Sequence, residues 1–303
     1  MTDLHMHSFY SEDGEFSPAV LVEKCAALNI KRMSITDHNC VRANFEAESL
    51  ADKKGIAYLP GIEIDCVHEN NGFHILGYGI DYRSADFEMI EKNIRSQSFE
   101  ASLKMLEKTQ SLGFHVTEND MWNLSKNSYW SETWTGEMFA EVLLTNSAYK
   151  DHPLLAPYRS GGARGDNPYV NFYWDFYAPG KPCHATMHYP QMQEVIDLIH
   201  NNHGFAVLAH PGVNLKDRQH LLPEIIRLGI DGIEAFSSYH LPDQAAGFCT
   251  VAEQYQLFIT CGSDFHGKTK PAIEIGTHGC TISDESLPHI IYNGKSIQEQ
   301  VPE

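Results

Sequence analysis

Basic residues are scarce in this chain: 22 lysines and arginines stand against 40 aspartates and glutamates, a formal charge of −18 over 303 residues. A protein that follows a long phosphate backbone carries the opposite imbalance, because its affinity comes from Lys and Arg displacing counterions. The deficit argues against a long nucleic-acid partner. Bound cations would neutralise part of it, so a small anionic substrate stays compatible. Paired cysteines are lacking as well. The seven, at positions 25, 40, 66, 183, 249, 261 and 280, are odd in number and include no Cys-x-x-Cys. They read as free, buried thiols of a reducing compartment. No window approaches the roughly 18 apolar residues of a membrane span. His5 and His7 fall where a secretory leader would need its apolar core. The expectation is a cytoplasmic protein with no membrane partner. Internal repeats and low-complexity segments are also missing, and nothing in the sequence fixes an oligomeric state.

What remains is an ordinary globular composition, 42% apolar and 20% charged, long enough for one large domain or one domain with an insertion. Its distinctive feature is where histidines and carboxylates fall. Asp3-Leu4-His5-Met6-His7 opens the chain, and on an extended segment side chains two apart share a face, so both imidazoles can grip one divalent metal. Among 17 histidines a single such pair could be chance. It is followed by Thr36-Asp37-His38, Gly61-Ile62-Glu63, Phe73-His74, Ala209-His210-Pro211-Gly212 and Gly262-Ser263-Asp264-Phe265-His266, most of them closing an apolar run that reads as a strand.

In order, the first strand gives way to the polar loop Ser11-Glu12-Asp13-Gly14. Ser17 suits an N-cap and Pro18 the first helical position. Strands are expected at 32–36, at 56–65 interrupted by Pro60-Gly61, and at 73–80, with a helix through Phe45 and Leu50 after the first of these, which is an α/β rhythm. The rhythm breaks near residue 85. Phe87 to Leu112 is helical and polar-faced, and about 118–189 is aromatic and loop-rich, with Trp122, Trp130, Trp134 and Trp174. So many aromatics argue against a disordered linker. Residues 86–190 are therefore expected to form an inserted lid or substrate subdomain between two parts of one body, 1–85 and 191–303. The second part offers a helix at 191–202 and strands at 205–209, 230–236 and 257–261. About seven parallel strands are expected outside the insertion, with ligand candidates past their C-terminal ends, where barrel enzymes build active sites.

This ordered set resembles the PHP (polymerase and histidinol phosphatase) superfamily, over residues 1 to about 85 and about 190 to 270. The chain looks like its small bacterial metal-dependent phosphoesterases, which include nucleotide bisphosphatases. The resemblance implies a distorted (β/α)7 barrel with two or three divalent ions at its mouth and phosphoester hydrolysis by a metal-bound hydroxide. By position, His5, His7, Glu63 and Asp264 would hold one metal. Glu63 would bridge to a second completed by His74 and His210, and Asp13, His38 and His266 would hold a third. Imidazole and carboxylate suit Zn, Mn or Fe, and a carboxylate can bridge two cations. Asp37 is expected to orient a ligand imidazole. His240, after a strand, is a candidate proton donor to the leaving group. His68, His115, His152, His203 and His220 have no motif around them and are left outside the site.

One departure stands out. Relatives commonly carry a Gly-Arg-Pro-His or Arg-Thr-His run in the insertion, where this chain has Thr135-Gly136-Glu137-Met138-Phe139-Ala140. Another cation should then meet substrate phosphate. The candidates are Arg159 and Arg164, flanking Ser160-Gly161-Gly162, and Lys181 in Pro179-Gly180-Lys181-Pro182. The expected activity is hydrolysis of a small phosphorylated metabolite, a nucleotide bisphosphate or a phosphoribosyl-type cyclic phosphate. Histidinol phosphate, a 3'-5' exonuclease on short nucleic acid and a non-enzymatic metal-binding regulator are the alternatives. The last is disfavoured because all nine ligand positions are filled.

Overall fold

Ser17 and Pro18 start α1 (Pro18–Ala27) as their chemistry dictates, the Ser17 hydroxyl accepting the Val20 amide and proline filling the first helical position. The computed structural model describes residues 1–282. Strands β1 (Thr2–Asp3), β2 (Arg32–Met33) and β3 (Ala57–Tyr58) form one parallel sheet. Helices α1 and α2 (Asn44–Lys53) cover it through a core that includes Leu21, Cys25, Met33, Ala47 and Ile56. A second sheet runs in the order β4 (Gly61–His68), β5 (Asn71–Tyr78), β6 (Phe205–Leu208), β7 (Gly232–Ser237), β8 (Phe258–Gly262).

The expected seven parallel strands in a barrel give way to these two sheets, and among the described residues no closed barrel forms. Two causes are visible. At Pro60-Gly61 the single strand expected over 56–65 breaks, so β3 stays in the first sheet and β4 begins the second. At the far end of β4, Glu69 and Asn70 take φ of 50° and 59°, the two left-handed residues of a tight hairpin. This turn makes β4 and β5 antiparallel, and β5 meets β6 antiparallel too, leaving only β6–β7–β8 parallel. The sheets approach through the ligand segments themselves. Leu4 donates its amide to the Cys261 carbonyl at 3.0 Å, and parallel bridges join Met6 to Phe265 and His38 to Glu63. Gly262 is required where β8 passes the first segment, because a Cβ there would lie 2.1 Å from that of His5.

The 27-residue α3 (Ala85–Ser111) carries the chain away from the sheets. It is followed by α4 (Glu118–Ser125), α5 (Gly136–Thr145) and α6 (Pro168–Phe176). Aromatics of 114–177, among them Phe114, Trp134, Phe139, Phe172 and Tyr177, bury themselves together with Leu106 in a separate core. The chain returns through α7 (Met192–Asn201), α8 (Pro211–Asn214), α9 (Leu222–Arg227) and α10 (Pro242–Tyr255). Of these, α7, α9 and α10 pack on the second sheet. Two polar contacts tie the helical segment to the ligand loops: Lys268 meets both carboxylate oxygens of Glu141 at 2.8 Å, and Trp130 donates its indole N–H to the Tyr10 carbonyl. The expected third part, 191–303, runs past the described residues. No helix among them is long and apolar enough to cross a membrane.

Candidate metal centre

All nine expected ligands gather at one end of the two sheets, in three overlapping groups. His5, His7, Glu63 and Asp264 form one, Glu63, His74 and His210 a second, and His7, Asp13, His38 and His266 a third, each with donor atoms within 4.8 Å of one another. Glu63, buried on β4, joins the first two. Its Oε2 lies 3.1 Å from Nε2 of both His5 and His7. Its Oε1 lies 2.9 Å from Nδ1 of His74 and 3.1 Å from Nε2 of His210.

Metal ions fit these residues on the evidence of their own hydrogen bonding. His7 Nε2 is 3.0 Å from Asp264 Oδ1 and 3.1 Å from Glu63 Oε2, and His266 Nε2 is 3.0 Å from Asp13 Oδ2. Yet His7 Nε2, His266 Nε2 and Asp264 Oδ1 are buried without a hydrogen bond. Buried polar atoms at that spacing are almost always bonded to each other, so lone pairs that converge without bonding match donors aimed at a shared cation. Imidazole and carboxylate without thiolate suit Zn, Mn or Fe.

Two of these residues sit in strained backbone. His210 has φ 24° and Asp264 φ 59°, conformations that non-glycine residues rarely hold unless the surroundings enforce them. The His210 amide donates to Glu234 Oε2 and the Asp264 amide to the His5 carbonyl, both at 2.8 Å. The strain thus aims each side chain into the cluster.

The protein alone is a strongly coupled array of opposite charges. Burial opposes ionisation of Glu63, yet the imidazoles of His5, His38 and His74 outweigh it and hold its carboxyl well below the usual range. Asp13 and Asp264 are also held low against burial, Asp13 chiefly by His266 and Asp264 chiefly by Lys270. Burial disfavours the His5 cation, but Glu234 and Glu63 overcome it and raise its pKa well above the ordinary value. His7, buried beside His266 and His38, is pushed down.

Five residues outside the expected set complete the surroundings. Glu234, fully buried on β7, accepts from His5 Nδ1 at 2.9 Å and so leaves Nε2 to face the cluster. Asp65 Oδ1 stands 3.2 Å from His74 Nε2, while Asn39 donates to its Oδ2 at 2.7 Å. Lys270 contacts Asp264 Oδ2 at 2.6 Å, and the Tyr239 hydroxyl donates to the same oxygen. A carboxylate in the middle of the apolar strand Ile233-Glu234-Ala235, and another two residues after Glu63 on one strand face, were the available sequence signals.

The remaining expected residues take other places. Asp37, whose carboxyl burial pushes up to about 6, accepts from the Ser8 amide and hydroxyl at 2.5 and 2.7 Å. It fixes the backbone just after His7, and its recorded hydrogen bonds go to Ser8 instead of an imidazole. His240 donates Nδ1–H to the Ala235 carbonyl at 2.8 Å and accepts the Gly212 amide on Nε2 at 3.0 Å. Burial lowers its pKa. With both nitrogens engaged by backbone, it holds α8 against β7. Arg159 donates to the carbonyls of Leu144 and Tyr149 at 3.0 and 2.9 Å. Arg164 forks onto Asp175 at 3.1 and 3.0 Å. Both arginines are committed within the helical segment itself, because a guanidinium satisfies stranded carbonyls and carboxylates with several donors at once. Lys181 is exposed on its turn.

Where the Arg and His of relatives were expected, Glu137 begins α5 and Phe139 is buried. Burial pushes Glu137 up to about 7, with Asp13 adding to it. Glu12 is likewise pushed up to about 7 by burial, with contributions from Asp65 and Asp13. Carboxyls therefore stand beside the cluster on the side of the helical segment.

Comparison with known proteins gives the family. At 27% identity over 277 residues, covering 90% of each chain, the protein is similar to a 3',5'-nucleoside bisphosphate phosphatase of Chromobacterium violaceum. It is 27% identical to a phosphoribosyl 1,2-cyclic phosphate 1,2-diphosphodiesterase of Eggerthella lenta, covering 88% of this chain and 94% of that one. It is 29% identical to the Escherichia coli 5'-3' exoribonuclease Rnm, covering 90% and 87%. A solved structure from Bifidobacterium adolescentis, described as a metal-dependent phosphoesterase, superposes with a TM-score of 0.74 at 25% identity over 91% of each chain. The PHP domain model matches residues 3–259, a span that contains seven of the nine candidate ligands and closes just before the other two, Asp264 and His266. With the ligand order, the converging lone pairs and that match in agreement, the chain belongs to the PHP domain family.

Proposed function

We propose that the protein is a metal-dependent phosphoesterase that hydrolyses a small phosphorylated metabolite with two or three divalent ions, Mn, Zn or Fe, held by the nine clustered residues. The observation that carries this reading is the division of Glu63 between two imidazole pairs, the arrangement of a carboxylate that bridges two cations. Family membership places the reaction among hydrolases of phosphoric esters. Cations bound there supply Lewis acidity to a phosphoryl oxygen and lower the pKa of water.

The chain's own contribution is positioning. Glu234 and Asp65 fix the rings of His5 and His74 from behind, and Lys270 with Tyr239 fixes Asp264, so each donor faces inward before substrate arrives. The relatives' names support two substrate classes, a nucleoside bisphosphate and a phosphoribosyl cyclic phosphate. The charge of −18 weighs against long nucleic acid, and the unbridged cysteines support a cytoplasmic setting. No membrane partner is invoked.

The test is phosphate or phosphoester turnover by Mn- or Zn-loaded protein on three substrates in parallel: a 3',5'-nucleoside bisphosphate, a phosphoribosyl cyclic phosphate and a short 5'-phosphorylated RNA. Turnover of either small molecule at least tenfold above the RNA is expected. Preference for the RNA would replace this reading with the nuclease one, and no turnover of any of the three would refute the small-metabolite assignment.

A further inference from the structure

A second group of metal-binding side chains lies outside the histidine–carboxylate cluster. Cys261 is on β8, and His278 and Cys280 are in the chain that follows it. Their donor atoms lie within 4.8 Å of one another. The His278 ring is already set in one tautomer. Its Nε2–H donates to the Thr2 carbonyl at 2.8 Å, which leaves the lone pair on Nδ1, and Nδ1 accepts the Cys280 amide at 3.2 Å. A ring N–H anchored on a backbone carbonyl is how ligating histidines are commonly held.

The sulfurs make long contacts to carbonyls, Cys261 Sγ to Thr2 and Cys280 Sγ to Ile282, both at 3.7 Å. The two thiols also hydrogen-bond each other, which together with burial holds Cys261 well above the usual thiol range. A third sulfur is near. Burial pushes the Cys249 thiol of α10 up, and the neighbouring Cys280 adds to the shift. Cys249 and Cys280 also pack on the same apolar cluster.

We propose that Cys261, His278 and Cys280 bind one zinc ion. Thiolate and imidazole together select zinc over Mn or Mg. Binding is a ligand exchange without redox change: each participating thiol gives its proton to solvent as its Zn–S bond forms, and the Nδ1 lone pair of His278 exchanges the Cys280 N–H for the ion. The ion staples the chain after β8 onto the start of β1. The Thr2 carbonyl accepts the His278 Nε2–H, and the neighbouring Asp3 accepts the Gly276 amide at 2.7 Å. The site thus steadies the strand that leads into His5 and His7 without touching the reacting groups, and it stands independently of the proposed activity.

Cobalt is the probe. The full chain, stripped with a chelator and titrated with Co2+ until every site is filled, should show a thiolate-to-cobalt charge-transfer band in the near ultraviolet whose plateau corresponds to one thiolate-bound cobalt per chain. The imidazole and carboxylate donors of the main cluster cannot produce such a band. Zinc-grown protein should lose one equivalent of zinc in Cys280→Ser and in His278→Asn, while hydrolysis of an aryl phosphate stays within twofold of the unmodified protein. Cys280 is partly exposed, so the serine variant should fold, and the wild-type spectrum requires no variant at all. The proposal is overturned if the folded, cobalt-saturated protein has no charge-transfer band, if the band survives Cys280→Ser, or if intact mass shows Cys261 and Cys280 joined as a disulfide.

Discussion

Nε2 of His74 lies 3.2 Å from Oδ1 of Asp65. The opposite ring nitrogen, Nδ1, faces Glu63 at 2.9 Å. A carboxylate behind a ligating imidazole fixes the ring and raises its basicity. Asp65→Ala should therefore weaken cation binding at the Glu63, His74 and His210 group by about 10- to 100-fold, the usual scale for losing such a partner. Chelator competition read by elemental analysis checks this, and affinity equal to the unmodified protein would remove the role.

Glu63 is the residue whose loss should matter most, because both oxygens are committed to different imidazole pairs. Glu63→Gln keeps the side-chain shape and should keep the fold, seen as an unchanged circular dichroism spectrum. Turnover should fall on the order of 10²–10³-fold or more, the scale of removing one well-placed electrostatic group from a site. Full activity at full metal content would show that the carboxylate does not bridge.

Glu137 predicts a pH dependence of stability. Burial raises its carboxyl from 4.5 to about 7, so the folded chain holds a proton that the unfolded chain has released. Its stabilising share is complete below the unfolded value and is lost as pH rises towards and through 7. Since the side chain keeps some solvent access, the loss should be on the order of 1–2 kcal/mol. Denaturant melts of the chelator-treated protein at pH 5 and pH 8 should show this difference, and Glu137→Gln should reduce it. An identical pH slope in the variant would place the titration elsewhere.

Arg159 and Arg164 should behave as structural residues. Arg159→Ala strands the carbonyls of Leu144 and Tyr149 and should cost about 1–3 kcal/mol. Arg164→Ala removes a half-exposed ion pair and should cost about 0–1 kcal/mol. Neither should change kcat/KM by more than about twofold on a doubly phosphorylated substrate relative to an aryl phosphate, measured well below the melting temperature. A loss confined to the doubly phosphorylated substrate would restore the phosphate-contact role expected from the sequence.

Much of the candidate site was legible because its ligands are local in the chain. His5 and His7, Asp264 and His266, and the single donors at strand ends announce themselves by residue type and spacing, and Ser17-Pro18 announces a helix start by capping chemistry. The apolar periodicity of α7 and of the strands 205–208, 232–237 and 258–262 located those elements within a residue or two. What failed to show was everything decided by partners distant in sequence. Strand alternation gives the face a side chain occupies but not the strand beside it. The antiparallel β4–β5 hairpin and the split into two sheets therefore emerged only with the fold, although Glu69-Asn70 holds the turn locally. Glu234 reads as an isolated buried acid until β7 lies beside the first segment and its carboxylate meets His5, 229 residues away. Arg159 and Arg164 read as free cations until the folded loops supply carbonyls and Asp175 to occupy them. Sequence alone determined which donors this protein owns and in what order; the tertiary structure decided which of them face one another, because a hydrogen bond or a shared cation depends on distances of about 3 Å that no spacing along the chain can set.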